Sequence, residues 1–226
     1  MATFLSDTMT GTDGDALTAH TPGTGSTWVK HPASGGTATI KTNRVCSDSG
    51  ECDYYNDATP GSADYYCAAD MVVVTNSIYS GLLVRMDTSA TTWYGAGYDN
   101  GSGNWEMFKA AAGSFSSLTG GSPVSSGGPL TGTYTLKLEV SGTGATVTCV
   151  FTVNGTPLIT GTDTTGTRIT ATGKAGFYSS SSTIAGYHFD NMVAADGTGA
   201  VGLPPGLGPA VGMGEVLIGG AASSRF

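Results

Sequence analysis

Hydrophobic and polar residues alternate along most of this chain. In residues 134–140, Tyr134, Leu136, Leu138 and Val140 fall on one side, and Thr135, Lys137 and Glu139 on the other. That period of two marks a half-buried strand. Residues 145–153 repeat the pattern, with Ala145, Val147, Cys149, Phe151 and Val153 inward and Thr146, Thr148 and Thr152 outward. Asn154-Gly155 follows at once, a strong hairpin signal because both turn positions need positive φ, and it predicts a returning strand over Thr156–Thr160. In 63–74, Tyr65, Cys67, Ala69, Met71 and Val73 share a face. Further strands are expected at 28–31, 37–41, 78–86, 92–98, 104–110, 174–178 and 187–193. The clusters of Gly, Ser, Asn and Asp between them are the punctuation of an antiparallel sandwich. The stretches 114–129 and 161–173 read as long surface loops. Helix signals are nearly absent: Ala110-Ala111-Ala112 starts a turn that Gly113 ends.

Composition agrees with an all-β chain. Of 226 residues 36 are Gly, Thr is nearly as common, and only 12% are charged, which disfavours helices. No strict Gly-X-Y period runs through it, so collagen is excluded. The formal net charge of -8 argues against a nucleic-acid partner, and nothing suggests membrane insertion. The N-terminus shows neither a basic nor an apolar leader region. After about Asp196 the sequence becomes apolar, almost uncharged and broken by Gly and Pro, so residues 1–195 read as one domain and 196–226 as an irregular C-terminal arm.

Cys46 and Cys52 bracket a short polar loop and either close it as a disulfide or remain free thiols. Cys67 and Cys149 occupy inward strand positions, where a free Cys behaves as a small hydrophobe.

Several segments in order carry a resemblance. They are Asp-Tyr-Tyr-Cys-Ala-Ala-Asp-Met-Val-Val-Val (64–74), Gly-Leu-Leu-Val-Arg-Met (81–86), Trp93-Tyr94 and Gly103-Asn104-Trp105-Glu106. After them come Leu-Lys-Leu-Glu-Val-Ser-Gly (136–142), Val153-Asn154-Gly155-Thr156, Gly-Lys-Ala-Gly-Phe-Tyr (173–178) and Phe189-Asp190-Asn191-Met192. Over residues 3–195 the chain resembles a laminin-G-like domain of the concanavalin A-like lectin/glucanase superfamily. The resemblance implies a jelly-roll of two antiparallel sheets, one of them concave. It leaves activity open, because this fold hosts lectins, hydrolases and structural modules.

Sugar binding needs aromatic platforms with polar side chains. Trp93, Tyr94, Tyr98 and Trp105 are close in sequence, and Arg85 faces out if Leu82, Val84 and Met86 face in; the alternative is that half of these are core. Calcium wants clustered oxygens. Asp7, Asp13 and Asp15 near the N-terminus, with Asp190 and Asn191 on the last strand, are the candidates for a structural Ca²⁺, unless they only cap turns. No other cofactor is expected. Glycoside hydrolysis needs two flanking carboxylates. The glucanases of the superfamily carry Glu-x-Asp-x-x-Glu, and the nearest match, Glu51 to Asn56, ends in Asn and lies in a polar segment instead of a core strand. No enzyme is therefore expected. His20, His31 and His188 are scattered singly.

The main expectation is a non-enzymatic structural protein on the surface of a bacteriophage virion, a capsid-decoration or tail/fibre protein. Its charge-poor, Thr- and Gly-rich sandwich looks extracellular and has no visible export signal. The arm, with Leu203, Leu207, Val211, Met213, Val216, Leu217, Ile218 and Phe226, would dock on neighbouring subunits in a homo-oligomer or on other virion proteins. The alternative is a carbohydrate-binding adhesion module with a cell-surface glycan as partner; a glycoside hydrolase comes third. Deleting residues 197–226 should leave a folded domain that no longer assembles, as read by sedimentation; a fragment that folds and still assembles would refute docking by the arm.

Overall fold

Alternation and turn chemistry produce sixteen strands among the described residues of the computed structural model, 1–74, 79–126, 131–179 and 187–197. They are β1 (Thr3–Asp7), β2 (Trp28–Lys30), β3 (Thr37–Ile40), β4 (Val45–Ser49), β5 (Cys52–Asn56), β6 (Tyr65–Val73), β7 (Tyr79–Met86) and β8 (Trp93–Asp99). The second half holds β9 (Asn104–Ala111), β10 (Ser114–Ser117), β11 (Val124–Ser125), β12 (Gly132–Ser141), β13 (Val147–Val153), β14 (Thr156–Asp163), β15 (Lys174–Ser179) and β16 (Tyr187–Asp196). The first sheet runs β14-β13-β12-β6-β16-β4-β3, with β1 on β16. The second runs β10-β9-β8-β7-β15-β5-β2, with β11 on β9. All pairings are antiparallel, and the result is the expected jelly-roll sandwich.

The main core lies between the sheets. Cys67, Ala69, Met71, Leu136, Leu138, Cys149 and Phe151 of the first sheet meet Tyr54, Leu82, Val84, Tyr94, Trp105 and Phe177 of the second. Asn154 at φ 50° and Gly155 at φ 78° make the turn between β13 and β14, as the Asn-Gly pair predicts. Ala145 is an exception to the expected pattern: it is exposed and precedes β13. The supposed loops also yield strands. β10 and β11 form within 114–129, and β14 continues to Asp163, because backbone pairing with β9 and β13 satisfies groups that side-chain pattern did not flag. The arm residues from Leu203 to Phe226 lie outside the described residues.

One irregularity sets the geometry of the second sheet. Between Leu83 and Met86, β7 carries an extra residue relative to β15, where Gly176 pairs with Leu83 and Lys174 with Met86. Arg85 sits at this bulge with φ 51°. Gly173 packs against it, and a Cβ there would meet the Arg85 backbone. The bulge shifts the parity of the strand, so Met86 joins Leu83 on the outer face and Arg85 turns inward. The guanidinium donates to the carbonyls of Ala63 (3.0 and 2.9 Å), Ile169 (2.6 Å) and Gly142 (2.9 Å), and its backbone N–H donates to Tyr65 Oη. Asp64, 3.4 Å away, supplies the counter-charge. A fully buried pair ties the sheets near their edge: Lys109 Nζ of β9 lies 2.9 Å from Asp163 Oδ2 of β14. Thr165, Thr167 and Tyr94 complete the hydrogen bonding of both ions.

Arg85→Met should cost about 2–4 kcal/mol in urea unfolding, because the buried Ile169 carbonyl and the half-buried carbonyls of Ala63 and Gly142 lose their donor; a loss within about 0.5 kcal/mol would remove Arg85 from this role.

Candidate functional site

The outer face of the second sheet carries its own apolar layer. Tyr55, Leu83, Met86, Trp93, Ala110 and Tyr178 are buried there, with Val29, Tyr79 and Phe108 packed against them. Their chain neighbours Tyr54, Leu82, Tyr94 and Phe177 belong to the inner core, so the strands are apolar on both faces. The register places one row across five strands: Asp53 pairs with Tyr178, Tyr178 with Gly81, Gly81 with Gly97, and Gly97 with Glu106. The next row contains Tyr55, Gly176, Leu83, Gly95 and Phe108. Glycines thus floor the middle of the face, and large rings lie over them. At Gly95 a Cβ would come within 2.5 Å of the Phe108 ring. Tyr178 reaches Tyr79 at 5.3 Å and Phe108 at 5.6 Å between ring centroids, and Phe108 contacts Phe115 at 5.7 Å.

Beside this aromatic group opens a cleft of about 340 Å³, lined by Tyr79, Glu106, Phe108, Phe115 and Pro123 among others. Phe115, on the edge strand β10, is 63% exposed, unusual for a large apolar side chain. Glu106 accepts from Tyr79 Oη at 2.8 Å and from Ser102 Oγ at 3.0 Å, which holds its carboxylate at the cleft wall. Asp53, at the far end of the row, is only 4% exposed, and its carboxylate accepts no hydrogen bond among the described residues. Burial, and then the Glu51 charge, push its carboxyl up to about 7. By contrast burial raises Asp163, but hydrogen bonds from Lys109, Thr165 and Tyr94 outweigh it and hold the group at about 2.

The sugar-binding candidates read from sequence are not a surface. Arg85, Trp93, Tyr94, Tyr98 and Trp105 are all buried. Tyr94 donates to Asp163 at 2.8 Å inside the sandwich, and Trp105 packs on Tyr98, Tyr134 and Phe151. Arg85 turns inward because the bulge reverses its parity. Trp93 does face outward, but the His31 ring packs edge-on against it at 5.2 Å. The segment 52–56, taken for polar surface, is a wholly buried strand: Cys52 and Tyr54 point to the core, Asp53 and Tyr55 to the outer layer. Cys46 and Cys52 are free thiols in different sheets, with Cys46 Sγ turned toward the Thr39 carbonyl; burial raises them to about 11 and about 12. Cys67 and Cys149 are buried free thiols as expected.

Of the calcium candidates, Asp7 is occupied by donors from Met9 N (2.8 Å), His20 Nε2 (2.9 Å) and Trp28 Nε1 (2.7 Å). Asp13 pairs with Lys41 and caps Thr42, Asp15 is exposed, and Asp190 caps Asn191 while facing Asp70 across the strands. Among the described residues no group of three or more His, Cys, Asp or Glu is placed to hold a metal. None of Tyr79, Phe108, Phe115 and Glu106 was flagged in the sequence as a sugar site; the spaced glycines 81, 95 and 97 within strands were the one available sign of something lying close above them.

No protein-family model and no curated protein matches this sequence. Solved structures do. The carbohydrate-binding module CBM66 from Bacillus subtilis is similar at 19% identity, over 75% of this chain and 95% of that one, with a TM-score of 0.57. An endo-1,3-β-glucanase from Streptomyces sioyaensis is similar at 10% identity, over 87% and 97%, with a TM-score of 0.56. The carbohydrate recognition domain of Emp46p is similar at 9% identity, over 76% and 89%, with a TM-score of 0.51. At these identities the likeness is one of fold: a concanavalin A-like jelly-roll sandwich shared by binding modules, lectins and glycoside hydrolases. Among the described residues no helix is long and apolar enough to cross a membrane.

Because Asp53 binds its proton more tightly folded than unfolded, stability should fall as pH rises from about 4 to about 7, by up to roughly 4 kcal/mol. Asp53→Asn should flatten that interval in denaturant titrations run across it; an unchanged slope would place the proton elsewhere.

Proposed function

We propose that this protein is a carbohydrate-binding module whose ligand lies in the cleft on the outer face of the second sheet. The observation that carries this reading is Phe115: an exposed aromatic ring, backed by Phe108 and Tyr79, beside a positioned carboxylate and in a cleft of a few hundred Å³. Aromatic faces stack on sugar rings, and fixed polar groups orient hydroxyls. The fold likeness to a carbohydrate-binding module and a carbohydrate recognition domain supports it.

Hydrolysis is less well supported. Asp53 and Glu106 share a register row, but four interstrand steps of roughly 4.8 Å separate them, about 19 Å along the row. A hydrolytic pair stands about 5–9.5 Å apart. In the weaker Glu51–Asn56 match, Asn56 spends its amide on the Ser26 backbone. A virion-surface role rests on composition and the arm, and the fold comparison adds nothing to it.

A glycan array followed by calorimetry tests the proposal. Micromolar binding to at least one glycan is expected, with Phe115→Ala weakening it about tenfold or more while the thermal midpoint stays put, since the ring is exposed. Absence of glycan binding, or full affinity in Phe115→Ala, would sink it.

A further inference from the structure

The electrostatics of the cleft narrow the ligand. Two carboxylates, Asp99 and Glu106, stand on the outer face beside Tyr79, and Glu106 lines the cleft. Neither makes an ion pair among the described residues. Among the described residues no lysine or arginine lines the cleft. The nearest cation on the same strand, Lys109, turns to the opposite face and is consumed by Asp163. Asp99 spends its oxygens on Gly101 and Ser102 backbone N–H groups, and Glu106 on two hydroxyls, so their negative charge is held in place but not neutralised.

A second observation points to a bound group. Tyr178 is 5% exposed, and its Oη has no hydrogen-bond partner among the described residues. Burial first, then the surrounding Tyr79, Glu106, Asp53 and Asp99, keep the phenol protonated far into the alkaline range. This hydroxyl lies unpaired behind the Tyr79 and Phe108 rings that line the cleft, a polar group of the kind that native proteins seldom leave unsatisfied.

We propose that the ligand is a glycan bearing protonated primary amines, a polymer of glucosamine in chemical type; the inference rests on the reading of this cleft as a sugar site. An ammonium offers three donors and no acceptor. Glu106 and Tyr79 Oη accept from it, and the faces of Tyr79, Phe108 and Phe115 attract it through their ring quadrupoles. The uncompensated carboxylates concentrate cations at the cleft and repel uronic acids. A neutral sugar would use the rings and hydroxyls but gain nothing from the charge.

Calorimetry with three oligosaccharides of equal length decides the matter: a glucosamine oligomer, its N-acetylated counterpart and an oligogalacturonate, at mildly acidic pH and low salt. The glucosamine oligomer should bind at least about tenfold tighter than the acetylated one, and the gap should shrink as salt screens the attraction. The oligogalacturonate should not bind. Glu106→Gln keeps an acceptor for Tyr79 and should close most of the gap. Asp48→Asn removes an equal charge from an exposed position on the first sheet and should leave the gap intact. If the acetylated oligomer binds as well, in a manner that Phe115→Ala abolishes, the amine preference is wrong and the sugar site stands. If Asp48→Asn matches Glu106→Gln, the preference is only that of an acidic protein and the proposal fails. If none of the three oligomers binds and the glycan array is also blank, both readings fall.

Discussion

Packing two sheets face to face requires each strand to keep its inward and outward parity, and the buried Arg85 bulge is where the second sheet changes it. Before the bulge, Leu82 and Val84 fill the core and Leu83 faces out; after it, Met86 faces out as well. The extra residue would leave a hole and stranded carbonyls at that end of the sandwich. The Arg85 guanidinium fills it, and its fan of donors ties 63–64, 142 and 169 into one corner. A long planar cation suits this role because it offers five donors in fixed directions. The Lys109–Asp163 pair does the same between the sheets at another edge, with every donor of the ammonium used.

The second consequence of two-sided burial is the outer aromatic layer. A sheet face exposed to water ordinarily carries Thr, Ser and charges, and the first sheet follows that rule over much of its outer face with Thr133, Thr135, Lys137 and Glu139. The second sheet departs from it. Glycines at 81, 95, 97 and 176 lower the floor, and Tyr178, Tyr79 and Phe108 lie across neighbouring strands instead of standing upright. Asp53, at one end of the row, is buried beside the Tyr178 ring, and that burial, with the Glu51 charge, raises its carboxyl. The aromatic group on this face draws its rings from β7, from the β9–β10 hairpin and from β15, three places well separated in the chain.

Much of the fold was legible because strand formation is local. Alternation in 134–140 and 145–153, the shared face of Tyr65, Cys67, Ala69, Met71 and Val73, and the Asn154-Gly155 turn all act over a few residues, and the structure keeps each of them except Ala145. Segments without alternation were misread for the converse reason. Cys52 to Asn56 is buried on both faces, so its pattern is continuous and its acidic residue looked like a mark of surface. The aromatic candidates failed together: Tyr94 and Tyr98 alternate with Gly95 and Gly97, and Trp105 with the polar Asn104 and Glu106, as core positions do, and their closeness in sequence says nothing about exposure.

The sequence by itself determined a charge-poor, antiparallel all-β sandwich, its main strands, its chief hairpin and the inward placing of Cys67 and Cys149, because these follow from side-chain period and turn conformation. Only the tertiary structure decided which faces are covered twice, that Cys46 and Cys52 part into different sheets, that Arg85 points inward, and that Glu106, Tyr79, Phe108 and Phe115 meet at one cleft. Those outcomes depend on strand order and on a single bulge, and pairing between strands far apart in the chain leaves no periodic trace in either of them.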